Sequence, residues 1–278
     1  GFIVRNRDQR SRDYEEMKDV FRPSHADFTL EKKYGIRDYR GGGRSSAREH
    51  VARVVAGAIA KQILRTRGVS VQGYTSQIGH VELDKPYTGL DLSRVDANAV
   101  RCPDEKLAGE MEDLIRKVKA EGDSIGGVVS CVIRGIPAGV GEPVFDRFQA
   151  RLGHYMMGIN AAKGFEYGEG FRAAAMRGSE HNDVFTIADG LVKPLTNHAG
   201  GILGGITSGE DVYFRVAFKP VATIGREQRT VDLSGKAVLF SAHGRHDPCV
   251  VPRAVPVVEA MAAMLVLDMM LEAGRGNF

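Results

Sequence analysis

The sequence predicts an α+β protein built as a single domain, and three observations carry that prediction. Helical and strand-like segments come in separate groups instead of strict alternation, which disfavours a doubly wound parallel sheet. Apolar residues are patterned in two ways, as stripes at helical spacing and as segments alternating with period two. The 278 residues, 43% hydrophobic and 26% charged, suffice for one sizeable core, and they carry no internal repeat and no low-complexity linker.

Each element follows from its own pattern. The first forty residues are polar and read as loop, with a short helical patch around 14–20. Gly41-Gly42-Gly43 breaks the backbone. A helix is predicted over 46–65, capped by Ser45 or Ser46, with Val51, Val54, Val55, Ala58, Ile59 and Ile63 on its apolar stripe. Strands are predicted over 69–73 and 78–83. Leu107, Met111, Leu114, Ile115 and Val118 mark a second amphipathic helix. A buried strand is expected over 127–133. Glu142-Pro143 is expected to open a third helix through Phe145, Phe148, Leu152 and Met156, since proline suits a first turn. Val212, Phe214, Val216 and Phe218 alternate with Tyr213, Arg215, Ala217 and Lys219, a half-buried strand, and 236–240 is another. The last helix, 255–272, is apolar nearly all round and therefore belongs inside a core or an interface.

Composition narrows the function classes. The net charge is +3 and tryptophan is absent, which disfavours nucleic-acid or carbohydrate platforms built on stacking. The charge is unevenly spread, however, because residues 1–53 hold ten arginines, a local excess suited to phosphate or carboxylate. Cys102, Cys131 and Cys249 are odd in number and far apart, which fits a reducing compartment. The longest apolar stretch, 260–267, stops at Asp268, well short of the roughly 20 residues that span a bilayer. A soluble, cytoplasmic protein is expected, with no membrane partner.

Three segments could carry chemistry. In Arg40-Gly41-Gly42-Gly43-Arg44-Ser45-Ser46-Ala47-Arg48-Glu49, glycines, hydroxyls and arginines precede a helix N-terminus, a natural anion seat. The spacing is not that of a Walker A loop, and plain helix capping is the rival reading. Asn197-His198-Ala199-Gly200-Gly201-Ile202-Leu203-Gly204-Gly205 packs two glycine pairs, for either a flat ligand or a tight corner between strands. In His243-Gly244-Arg245-His246-Asp247-Pro248-Cys249, Arg245 would bring positive charge to any ion, so acid–base or anion-binding use is preferred to a metal. Among the other histidines, His25 could be a general acid or an ordinary loop residue. His50 and His154 read as surface or satisfied core positions on helices, and His80 lies in strand-like text.

Taken together, Arg22-Pro23-Ser24-His25-Ala26-Asp27, the 40–49 run, the double glycine segment and Gly244-Arg245-His246-Asp247-Pro248-Cys249 resemble the chorismate synthase family, in its order and over essentially the whole of 1–278. Gly141-Glu142-Pro143, Lys163-Gly164-Phe165-Glu166 and Arg177-Gly178-Ser179-Glu180 add to the likeness. The resemblance implies helices sandwiched between antiparallel β-sheets, a homotetramer, and anti 1,4-elimination of phosphate from 5-enolpyruvylshikimate 3-phosphate to give chorismate with reduced FMN. It implies flavin contacts at Arg44, Ser45, Ser46, Asn160, Ala161, Gly204, Lys219, Pro220, Val221, Ala222, Thr223 and Arg245. It implies catalytic roles for His25, toward the reduced flavin, and for Asp247, toward the C6 proton. Arg22 and Arg48 are implied to hold substrate anions. The sequence starts downstream of the family's Gly-Glu-Ser-His-Gly segment, so weak or absent turnover is expected of the chain as written. An external reductase is favoured over NADPH as the source of flavin electrons, since no nicotinamide fingerprint is evident. Two rivals stand beside this reading: an Arg-rich nucleic-acid-binding module, and a truncated inactive subunit that still binds flavin.

Overall fold

The computed structural model describes residues 1–5, 15, 17–39, 46–188, 190–242 and 247–274. In chain order the described elements are α1 (Asp27–Tyr34), α2 (His50–Arg65), β1 (Ser70–Ile78), β2 (Val81–Glu82), α3 (Glu105–Ala120), β3 (Gly127–Arg134), α4 (Phe148–Met157), β4 (Ala162–Tyr167) and the short α5 (Gly178–His181). There follow β5 (Phe185–Ala188), β6 (Leu191–Pro194), β7 (Ile202–Leu203), β8 (Ile206–Thr207), β9 (Val212–Phe218), β10 (Gln228–Val231), β11 (Ala237–Phe240) and α6 (Val251–Glu272). Five strands form an antiparallel sheet in the order β2-β1-β3-β9-β4, and the other strands pair as three antiparallel ribbons. The expected mixture of helices and antiparallel sheets is present.

The core lies between the sheet and α6. Along β9, Val212, Phe214, Val216 and Phe218 are buried while the alternate residues are only half-buried, the period-two pattern of one face on a core. From the helix side come Val255, Val258, Ala262, Leu265, Val266 and Met269, all buried. By length and composition α6 could cross a membrane, yet 67% of its apolar window is buried inside the fold, so it is a core helix. It starts four residues earlier than its pattern suggested, because Pro252 sits in the first turn, where a missing N–H is harmless. All three cysteines are buried and free.

Several elements differ from expectation. Helix α1 was read as loop, since it has no apolar stripe; it closes on Gly35 in the left-handed conformation, whose N–H reaches the Glu31 carbonyl. Of the patch expected over 14–20, Glu15 and Met17 adopt 3-10 geometry and Val20 forms a β-bridge with Asp232. Ser46 caps its helix as expected, accepting the Arg48 N–H at 3.4 Å, but through a 3-10 turn ahead of α2. The buried face of α2 consists of His50, Gly57, Ala60 and Leu64, whereas Val51 and Ile59 of the expected stripe are 43% and 55% exposed. The third helix starts at Phe148, not at Pro143, because Asp146 has φ +55° and Arg147, with ψ 139°, is not helical. The strand expected over 69–73 runs on to Ile78 as β1, with an irregularity between Thr75 and Gln77, and of the strand expected over 78–83 only Val81–Glu82 form β2, with His80 in the turn between them.

Candidate active site

The segment that follows β9 is the hub. The Lys219 N–H bonds the Ala161 carbonyl at 3.0 Å, and the Ser124 hydroxyl bonds the Val221 carbonyl at 2.7 Å. Gly225 N–H reaches the Gly122 carbonyl at 2.9 Å, and Ala242 N–H reaches the Ile224 carbonyl at 3.0 Å. Three stretches distant in sequence, 122–124, 161 and 242, are thus tied to one loop. Gly126 permits this approach, because a Cβ there would stand 2.3 Å from the Phe218 carbonyl oxygen and 3.1 Å from the Pro220 nitrogen.

From the other side comes the Arg22–Asp27 motif. Phe21 N–H bonds the Val231 carbonyl, laying this segment against β10. Arg22 spends Nε on Asp27 Oδ2 at 2.7 Å and Nη2 on Oδ1 at 2.9 Å, while Nη1 reaches the buried Thr223 hydroxyl at 3.3 Å. Lys219 Nζ donates to the Ser24 carbonyl at 2.6 Å and to its hydroxyl at 2.8 Å. Ser24 has φ +59°, a strained conformation for a non-glycine residue, and the lysine bonds hold it there. Burial first, then the charge of Lys163, lower the Lys219 pKa from the usual lysine value.

Asp27 is 4% exposed and receives both Arg22 and His25, whose Nδ1 lies 3.0 Å from Oδ1. Burial alone raises its pKa, but the hydrogen bonds from Arg22 and His25 and their charges outweigh that and hold it well below the usual carboxylate range. A lowered folded-state pKa means stabilisation fully present above the unfolded value, about 3.9, and lost progressively as pH falls from there through the folded-state pKa. Asp27→Asn should therefore lower the urea midpoint at pH 7 and flatten its decline between pH 5 and pH 3. Parallel acid profiles for variant and parent would remove this carboxylate from acid stability.

Asn160 and Ala161 stand beside the hub. The Asn160 N–H donates to His50 Nε2 at 3.3 Å, and Ala161 has φ +68°. This bond ties the start of α2, with Ser46 and the exposed Arg48, to the same edge of the sheet. Burial, then the Arg53 charge, lower the His50 pKa, so its ring is neutral near pH 7 with Nε2 as acceptor. On the remaining side Ile125 N–H bonds the Pro248 carbonyl at 2.8 Å, placing Asp247 next to this wall, where it pairs with Arg253 at 2.8 Å. Hollows lie elsewhere among the described residues, one along Arg94, Asn98 and Glu112 and another along Lys61, Gln72 and Glu259.

The structure thus brings together Arg22, His25, Asn160, Ala161 and the stretch Lys219, Pro220, Val221, Ala222 and Thr223, with Ser46 and Arg48 joined through His50. Arg44, Ser45 and Arg245 lie outside the described residues, as do His243 and His246. Among the described residues no group of His, Cys, Asp and Glu could hold a metal ion. Gly204 is not brought in. Its neighbour Gly205 accepts from Phe148 N–H at the start of α4, whereas Asn160 follows the end of that ten-residue helix, about 15 Å away along its axis. Asp27, Arg37 and His50 were missed as site residues. Asp27 could have been found from its place in the Arg22–Asp27 motif, while nothing in the sequence singled out Arg37.

Comparison with known proteins identifies the family. The family model for chorismate synthase matches residues 1–271. The chain is 60% identical over 268 residues to a protein named chorismate synthase from Phocaeicola vulgatus, covering 96% of this chain and 75% of the relative. It is 58% identical over 279 residues to one from Parabacteroides distasonis, covering 100% and 78%. A crystal structure of chorismate synthase superposes with a TM-score of 0.76 at 31% identity, over 91% of this chain and 72% of that one. With the family model, the relatives and the fold in agreement, the chain belongs to the chorismate synthase family.

Proposed function

We propose that the protein eliminates phosphate from 5-enolpyruvylshikimate 3-phosphate in the anti 1,4 sense to give chorismate, with reduced FMN and without net redox change. The observation that carries this reading is the convergence of Arg22, His25, Asn160, Ala161 and residues 219–223 on one edge of the sheet. Flavin dependence in general comes with the family. The residues present suit such a group. Lys219 and Arg48 with the Ser46 and Thr223 hydroxyls are donors of the kind a phosphate takes, and the backbone at Pro220, brought close by Gly126, offers a surface for a flat ring.

When bound at these residues, reduced flavin would supply electron density to the breaking C–O bond without net redox change. The chain holds and orients the reactants around that event. The exposed Arg48 and the positive charge of Arg22 attract the anionic groups of the substrate, with Arg22 kept in place by Asp27. His25 presents an imidazole N–H beside them, and the Asp247 carboxylate helps to take the C6 proton. In this reading the protein is a cytoplasmic homotetramer without metal, membrane or nucleic-acid partner, and a separate reductase delivers the flavin electrons in preference to NADPH. The uncovered Val51 and Ile59 of α2 and Phe185, Ile187 and Val192 of the β5–β6 ribbon support assembly, being apolar surface that association buries.

The test is anaerobic turnover of 5-enolpyruvylshikimate 3-phosphate with dithionite-reduced FMN, on protein of verified intact mass. Stoichiometric release of phosphate and chorismate is expected of protein that carries the Gly-Glu-Ser-His-Gly segment, and weak or absent turnover of residues 1–278 alone. Flavin binding without turnover would point to an inactive subunit, and neither binding nor turnover would overturn the assignment.

A further inference from the structure

We propose that Asp27 is the positioning residue of His25: it holds the imidazole by Nδ1, so that Nε2 is the nitrogen that meets a bound ligand. This rests on the reading of His25 as a site residue given above. The motif Arg22–Asp27 has a buried carboxylate at its far end, and every described partner of that carboxylate belongs to the site or to its support. Oδ2 accepts from the Arg22 backbone N–H at 3.3 Å and from Arg22 Nε at 2.7 Å, and lies 3.5 Å from Arg37 Nη1. Oδ1 accepts from Arg22 Nη2 at 2.9 Å and lies 3.0 Å from His25 Nδ1.

Arg37 is itself anchored. Its Nη1 donates to the Val20 carbonyl at 3.0 Å and its Nη2 to the Met17 carbonyl at 2.9 Å, and its side chain is 4% exposed. The carboxylate therefore has little freedom to turn, and a group bound to it inherits that rigidity.

His25 Nδ1 stands 3.0 Å from Asp27 Oδ1 and 3.0 Å from Arg22 Nη2. With a proton on Nδ1 the ring donates to Asp27; without one it accepts from Arg22. Either way the inner nitrogen is engaged on the closed side. The ring is 35% exposed, which leaves Nε2 available to a ligand. The two states differ in chemistry. When Asp27 takes the Nδ1 proton, Nε2 can release a proton and regain it without any rearrangement of the ring. Two charged groups touch the imidazole among the described residues: Asp27 favours the imidazolium and Arg22 opposes it. Replacing Asp27 by Asn removes the one that favours it.

Nitrogen-15 NMR of histidine-labelled protein, with His25 assigned by the loss of its signals in His25→Gln, tests this without requiring turnover. In the parent protein the Nδ1 signal should be that of a protonated, hydrogen-bonded nitrogen at pH 7. In Asp27→Asn the Nδ1 signal should move away from its parent position, because the neutral amide is a weaker hydrogen-bond partner than the carboxylate. In the turnover assay kcat should fall on the order of tenfold to a hundredfold, with KM little changed. A folded Asp27→Asn protein with an unmoved His25 Nδ1 signal overturns the proposal. If that variant does not fold, the parent spectrum decides, because a bare Nδ1 throughout pH 5–8 also overturns it. Absence of turnover in the parent protein would sink the proposed reaction and leave the NMR result standing on its own.

Discussion

Replacing Gly57 by alanine should destabilise the protein by about 1–3 kcal/mol, although alanine is the better helix former by roughly 1 kcal/mol. The reason is the crossing of α2 on α6. A Cβ at Gly57 would lie 2.3 Å from the Ala260 Cβ, 2.4 Å from its Cα and 2.8 Å from its carbonyl oxygen, so backbone itself would have to move. Gly57→Leu should prevent the two helices from docking. Gly109 on α3 supplies the opposite case, since a Cβ there meets nothing within 4 Å; Gly109→Ala should raise stability by up to about 1 kcal/mol. Denaturant midpoints with unchanged m-values would measure both. Stabilisation at both positions would show that α2 and α6 do not approach this closely.

The largest effects on activity are expected at His25 and Asp247. His25→Ala should lower kcat on the order of 10²–10⁴-fold, the usual worth of a positioned acid or base, while FMN affinity changes little. Asp247→Ala should also lower turnover strongly and leave flavin binding largely intact. Because Asp247 pairs with Arg253, which is 75% exposed, Arg253→Gln serves as the control for loss of that ion pair, and exposed pairs contribute little. If Asp247→Ala keeps full turnover, the C6 proton leaves by another route and Asp247 has no part in the chemistry.

The site was legible where its residues form local motifs. Arg22 and His25, Asn160 and Ala161, and the run 219–223 were read from the sequence, and the structure puts them on one edge. What the motifs lacked was mutual placement. The bond from Lys219 N–H to the Ala161 carbonyl and the reach of Arg22 Nη1 to Thr223 join residues with no periodic or spacing relation. Gly204 shows the converse: one motif placed it with the flavin residues, but its hairpin belongs to the other end of α4. His50 was set aside as an ordinary helical histidine, and only the fold reveals that it accepts from the Asn160 backbone.

Local periodicity was enough for the sequence by itself to determine β9, the body of α3, β3 and the burial of α6, because each of these has a pattern that only one environment satisfies. The burial of Val212, Phe214, Val216 and Phe218 follows from alternation alone. The tertiary structure decided which face of α2 is buried, since hydrophobicity favoured the valine and isoleucine stripe while the shape of Ala260 admitted only the glycine side. It also decided where the α4 helix begins, through the positive φ of Asp146, and made α1 a helix without an apolar stripe. The buried Asp27 belongs with these. A carboxylate inside a fold is stable only when its partners are already in place, and Arg22, His25 and Arg37 reach it from both sides of the α1 helix by way of the fold.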